Sequence, residues 1–141
     1  MNKFLTSIAL VLLVPAAAFA CEGEETAAVE GWTEVSVEQL ASMLEEGTAT
    51  AVDANRGETR QNVGIIPGAI LLAGSEYDTD VLASAGEGDA LVFYCYNERC
   101  GASHRAADAA LAAGYGDVHV LPAGIMGWVE SGHEVDPPAI N

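Results

Sequence analysis

"ALVFYCYNERCGASHRAA", residues 90–107, decides the fold. Its first five residues, Ala90 to Tyr94, are apolar and show no alternation with polar ones. A strand covered on both faces reads this way, and such strands belong to parallel sheets packed between helices. The run stops at Cys95. Tyr96, Asn97, Glu98 and Arg99 form a short polar loop before a second cysteine, Cys100. Gly101 follows, and then an alanine-rich stretch that ends in glycines as a helix does.

Segments on either side repeat the strand–helix rhythm. "TEVSVEQLASMLEEG", 33–47, predicts a short strand and then a helix. Ser36 and Gln39 are spaced as a capping box. Val37, Leu40, Met43 and Leu44 share one helical face, and Gly47 ends it. "TATAVDAN", 48–55, predicts a strand ending at Asp53. "IIPGAILLAG", 65–74, is a proline-glycine turn leading into another strand, and "YDTDVLASAGEG", 77–88, gives a short helix. "DVHVL", 117–121, is the last strand, and "AGIMGWVESG", 123–132, the last helix. The class is α/β with a mainly parallel sheet. No repeat is visible, and the length suits one domain.

The crevice beyond the carboxyl ends of a parallel sheet is where ligands bind. Cys95 ends the most buried-looking strand and so falls at that crevice. Loop amides forming a nest, the start of the next helix and the Arg99 charge would each favour thiolate over thiol. The thiolate is the reactive form. Position alone fits an inert buried cysteine equally well. The arginines favour function: Arg56, Arg60, Arg99 and Arg105 all lie in two segments, 56–60 and 99–105. That grouping suits a local anion site.

These segments together resemble the rhodanese-like domain family. "VDANRGETRQNVGIIPGAILL" is similar to the family segment that starts at a strand-end aspartate and closes on an "IPGA" turn. "LVFYCYNERCGASHRAADAALAAGYGDVHVLPAGIMGWVESGHEV" is similar to its second half, from the cysteine loop to "GI..W...G". The resemblance covers about residues 33–136. It implies a five-stranded parallel sheet flanked by helices on both faces. It also implies a sulfurtransferase in which Cys95 carries a persulfide, cradled by Tyr96, Asn97, Glu98, Arg99 and Cys100, with Gly101 next. Asp53 would sit beside the cradle, with Arg56 and Arg60 near it. The chain departs from the pattern at Glu98, where a glycine is common. It departs again at Ile65, where the family turn has histidine, and at Asn55, where an arginine is often found.

Cys100 has three readings. It resolves the Cys95 persulfide or closes a disulfide with Cys95; it merely lines the cradle; or it binds metal with Cys95 and His104. The Cys-x4-Cys-x3-His spacing lacks the close cysteine pair of zinc sites, and no metal or organic cofactor is expected. Phosphate chemistry is disfavoured, because Gly101 stands six places after Cys95 where an arginine clamp is needed. His104, His119 and His133, and Trp128 with its apolar neighbours, read as structural.

The chain has 141 residues, with 21 acids against five bases. "MNKFLTSIALVLLVPAAAFAC" has a basic start, an apolar core and small residues before Cys21, the pattern of a secretory signal. Residues 1–20 are read as that signal, and the protein is expected to be exported, either periplasmic or secreted. Cys21 is a candidate lipidation site in an imperfect lipoprotein pattern, and such a lipid would be its sole membrane attachment. Residues 21–32 read as an acidic tether and 137–141 as an irregular tail. Without Lys3 the remaining four bases and 21 acids leave a charge of −17. Such a surface repels nucleic acid and is expected to serve solubility.

The expected function is movement of sulfane sulfur from a small sulfur-containing anion or a persulfide, through Cys95, to a thiol or protein acceptor. Two other readings stand beside it. One is a thiol–disulfide protein using Cys95 and Cys100; the other is an inactive binding module disabled by Glu98.

Overall fold

The computed structural model describes residues 31–73 and 77–138. The signal segment, Cys21, the tether up to Glu30 and residues 139–141 lie outside the described residues. Five strands form one sheet: β1 (Thr33–Glu34), β2 (Ala49–Asp53), β3 (Ile70–Leu71), β4 (Ala90–Tyr94) and β5 (Val118–Leu121). Their spatial order is β1-β5-β4-β2-β3, and every pairing between them is parallel. Four α-helices connect or close them: α1 (Val37–Glu46), α2 (Gly57–Val63), α3 (Ala102–Ala112) and α4 (Gly124–Glu130). A 3-10 helix, Thr79–Ser84, precedes β4.

β4 is central, and all five of its residues are buried. Its side chains divide between two cores, as a period of two requires. Val92 and Tyr94 pack with Leu40 of α1 and Ile125 and Trp128 of α4. Leu91 and Phe93 pack with Ala106, Ala107 and Ala110 of α3. The small alanines let α3 lie close to the sheet. Truncating Phe93, which is fully buried, would cost about 3–5 kcal/mol.

Local signals act where the sequence puts them. Ser36 caps α1 in a complete capping box with Gln39, and Gly47 ends the helix in the left-handed conformation. The segment 57–63, read from the sequence as a loop after β2 or the start of a following helix, forms α2. Its seven residues include no buried one, so no apolar face marks it. Trp32, read as the end of the tether, belongs to the domain. Its Nε1 donates to Asp108 on α3 at 2.9 Å, and its ring meets His104 edge-on. At the other end Asp136 pairs with Ile65 through two backbone hydrogen bonds of 2.9 Å. This antiparallel bridge ties the chain's end to the IPGA turn.

Candidate active site: the cysteine loop and an arginine-lined cleft

β2 and β4 lie side by side and end together, with Asp53 in register with Tyr94. This places Asp53 and Cys95 at the same edge of the sheet. Asp53 is fully buried. Its Oδ1 accepts the amide of Asn55 at 2.6 Å and lies 3.5 Å from Arg60 Nε. Its Oδ2 accepts the hydroxyl of Tyr94 at 2.9 Å, and that hydroxyl accepts the Ile66 amide at 3.1 Å. Burial, reinforced by the Asp53 charge, pushes the Tyr94 hydroxyl far above its ordinary value, so it stays a donor. Arg60 also donates through Nη2 to the carbonyls of Asp53 and Leu72. Asp53 and Arg60 thus lock β2, β3 and α2 together beneath the site.

Cys95 is 1% exposed. Its carbonyl accepts the Ile125 amide at 2.8 Å, and the Tyr96 carbonyl accepts the Met126 amide at 3.1 Å. The first turn of α4 therefore holds the root of the cysteine loop. Gly124 makes this approach possible. A Cβ there would fall 2.6 Å from the Cys95 and Tyr96 carbonyl oxygens, and φ is +61°.

The loop's amides do not form the expected nest around Sγ. Asn97 takes two of them instead: its Oδ1 accepts the Arg99 amide at 3.1 Å, and its carbonyl accepts the Cys100 amide at 2.9 Å. Cys95 Sγ faces the Cys100 carbonyl at 2.8 Å and donates to it. The Ser103 hydroxyl lies 3.3 Å from the same sulfur. Burial pushes the Cys95 thiol up, and the neighbouring Cys100 thiol adds to this. The Ser103 hydroxyl and amide pull it back only in part. The expectation of a depressed Cys95 pKa is therefore corrected: burial and the Cys100 thiol outweigh the Ser103 donors, and no array of loop amides surrounds the sulfur.

Cys100 has the opposite balance. Burial raises it, but the Cys95 thiol, the amides of Tyr96 and Ala102, and the Arg105 charge together hold it below the ordinary thiol value. It lines a cleft of about 760 Å³. Arg56 from the start of α2, Arg60, Arg105 from α3, Tyr77 and Tyr96 line the same cleft. Three of the four arginines in the described residues thus gather at one place on an acidic protein. Asn55 is also there, 6% exposed, and its Nδ2 has no hydrogen-bond partner among the described residues. Arg99 is not in this group. With Glu98 it lines a second depression against α4, bounded by Met126 and Glu130. Glu98 therefore puts no carboxylate into the arginine-lined cleft.

Sequence reasoning named Asp53, Arg56, Arg60, Cys95 and Cys100, and the structure brings them to one edge of the sheet. It missed Ser103 and Tyr94 as parts of the site, and it counted Arg105 only as one of the clustered arginines. Ser103 and Arg105 lie on α3's first turns, three and five residues after Cys100. Their position on a helix starting beside the cysteine was the available signal. Among the described residues, no three metal-ligating side chains come together.

A family model for the rhodanese-like domain matches residues 36–131. The chain belongs to the rhodanese-like domain family. Among solved structures, the rhodanese-like domain of an Anabaena protein is 22% identical, with a TM-score of 0.59, over 77% of this chain and 86% of that one. A Bacillus halodurans protein is 24% identical, with a TM-score of 0.64, over 74% and 76%. The As-Sb reductase of Leishmania major is 20% identical, with a TM-score of 0.56, over 72% and 79%. These likenesses carry the rhodanese-like fold. No curated protein matches the chain.

Proposed function

We propose that this rhodanese-like protein is a sulfurtransferase whose Cys95 carries the transferred sulfur. The observation that supports this most is the placement of Cys95. It follows directly on the central strand at the root of the six-residue loop whose Tyr96 and Cys100 line the cleft where Arg56, Arg60 and Arg105 meet. A small sulfur-containing anion such as thiosulfate, or an anionic persulfide, is drawn to that cleft by charge. The Cys95 thiolate attacks the donor's sulfane sulfur; with thiosulfate, the S–S bond breaks and sulfite leaves. Ser103 supplies the hydroxyl that supports negative charge on the sulfur. A thiol or protein acceptor then attacks the outer sulfur and restores Cys95. Cys95 is nearly inaccessible at rest, so each step requires the Cys100 carbonyl to swing away from it. The chemistry needs no metal or organic cofactor.

The test is intact-mass analysis of the reduced protein immediately after brief thiosulfate treatment, beside Cys95→Ser. One added sulfur atom, labile to cyanide and absent from Cys95→Ser, is the expected result. No added sulfur with thiosulfate or with a small-molecule persulfide, in the wild type and in Cys100→Ser alike, overturns the reading. The setting proposed from the sequence is an exported, periplasmic or secreted protein, with any membrane attachment made by a lipid on Cys21.

A further inference from the structure

Two thiols share this site in different surroundings. Cys95 is buried, with its sulfur between the Cys100 carbonyl and the Ser103 hydroxyl. Cys100 is half-buried and opens onto the arginine-lined cleft. A turn closed by Asn97 folds the loop back, so that Cys100's own backbone touches the Cys95 sulfur. Simple return of sulfur to an outside acceptor gives Cys100 no task. Its position beside the buried sulfur gives it one.

From this geometry we infer that Cys100 resolves the Cys95 persulfide, closing a Cys95–Cys100 disulfide and expelling hydrosulfide. The inference rests on the persulfide reading above. The step balances as thiol–disulfide exchange does. The Cys100 thiolate attacks Cys95 Sγ, a new S–S bond forms, and the bond to the outer sulfur breaks. That sulfur departs with its electron pair as hydrosulfide. The two protein thiols are oxidised by two electrons, and the sulfane sulfur is reduced by two. With thiosulfate as donor, the products of one round are sulfite, hydrosulfide and a proton. A further round requires an external thiol or dithiol to reduce the disulfide. The activity is therefore reductive release of sulfide, coupled to a thiol reductant. The mixed surroundings suit it: the attacking thiol opens onto the cleft and is held below the ordinary value by the Cys95 thiol, neighbouring amides and Arg105, while Cys95 stays shielded.

The experiment uses the reduced full chain, without oxygen and without added acceptor, treated with one equivalent of thiosulfate. Trapped sulfide and intact mass are followed in time. Wild type is expected to release about one sulfide per chain and to end two hydrogens lighter. Cys100→Ser and Cys100→Ala are expected to keep the added sulfur and to release sulfide about tenfold more slowly or less. Circular dichroism establishes that both variants are folded. Equal retention of sulfur by wild type and both variants, with no disulfide, overturns the inference and leaves Cys95 sulfur transfer intact. Sulfur recovered on Cys100, with no sulfide released, also overturns it. No uptake by wild type or by the Cys100 variants removes the persulfide reading itself, and the inference with it.

Discussion

The Tyr94 hydroxyl donates to Asp53 Oδ2 at 2.9 Å, between two side chains that are both fully buried. This contact joins the ends of β2 and β4, and through the Ile66 amide it reaches the IPGA turn. Tyr94→Phe leaves the Asp53 carboxylate and the Ile66 amide short of a partner. The expected cost is about 1–3 kcal/mol, read as a lower urea midpoint with unchanged slope. Tyr94 also titrates above its ordinary value in the folded state. Its stabilisation is therefore complete below the unfolded tyrosine range and is lost as pH rises toward the folded value. Unfolding by urea at high pH should show wild type losing stability that Tyr94→Phe lacks in the first place.

The two thiols should react in order. Cys100 lies below the ordinary thiol value and lines the cleft, whereas Cys95 lies above it and is covered. A neutral alkylating reagent at neutral pH should label Cys100 first, as peptide mapping can read. Labelling of Cys95 should rise with pH beyond the ordinary thiol range. The folded state holds the Cys95 proton more tightly than the unfolded chain does. That contribution to stability is full below the unfolded thiol value and fades as pH climbs through the folded one. Faster labelling of Cys95 than of Cys100 at neutral pH would show that the resting loop is open.

Ser103 is the one side-chain hydroxyl beside the Cys95 sulfur among the described residues. Ser103→Ala removes a donor that supports the thiolate. Sulfur loading from thiosulfate at neutral pH should slow about fivefold to tenfold, with recovery as pH is raised. A purely structural serine would give a loss that pH does not repair.

Parts of this site were legible because the chemistry is local. The unbroken apolar run of β4 announces a strand buried on both faces, and Cys95 must then fall at the sheet's edge. Ser36, Gln39 and Gly47 mark the ends of α1 by themselves. α2 was not legible, because none of its seven residues is fully buried and Val63 is its one large apolar side chain, so no period shows. The orientation of the loop was not legible either. Whether amides or a carbonyl face Cys95 depends on the loop's dihedrals, and these follow from Asn97 binding the amide two residues on. An asparagine in that loop was a signal for such a turn, which spends the amides that a thiolate needs. Arg105 was visible as part of a cluster of arginines. Only the packing of α3 against the sheet shows that it turns toward the cleft and Arg99 does not.

Arg56 and Arg105 are exposed, and among the described residues neither has a carboxylate within salt-bridge distance. Arg56→Ala and Arg105→Ala should each raise the KM for thiosulfate about threefold to fivefold, as screened surface charges do, with little change in stability. Added salt should weaken wild type toward the variants. Arg99→Ala is the comparison, since Arg99 lines the other depression and should leave KM near wild type. An Arg99 effect larger than that of Arg105 would place the donor on the α4 side of the loop.

Gly124 connects the last helix to the cysteine. It carries φ of +61°, and its missing Cβ leaves room for the Cys95 and Tyr96 carbonyls that α4 amides bind. Gly124→Ala adds both left-handed strain and a clash of backbone with backbone, neither of which a side-chain rotation relieves. The expected cost is about 2–4 kcal/mol in the urea midpoint. Part of the strain is relieved if the loop root lifts away from α4. In that case Cys95 becomes easier to alkylate in the folded variant, at urea concentrations well below its midpoint. A stable Gly124→Ala protein with unchanged Cys95 labelling would mean that α4 does not govern the cysteine loop.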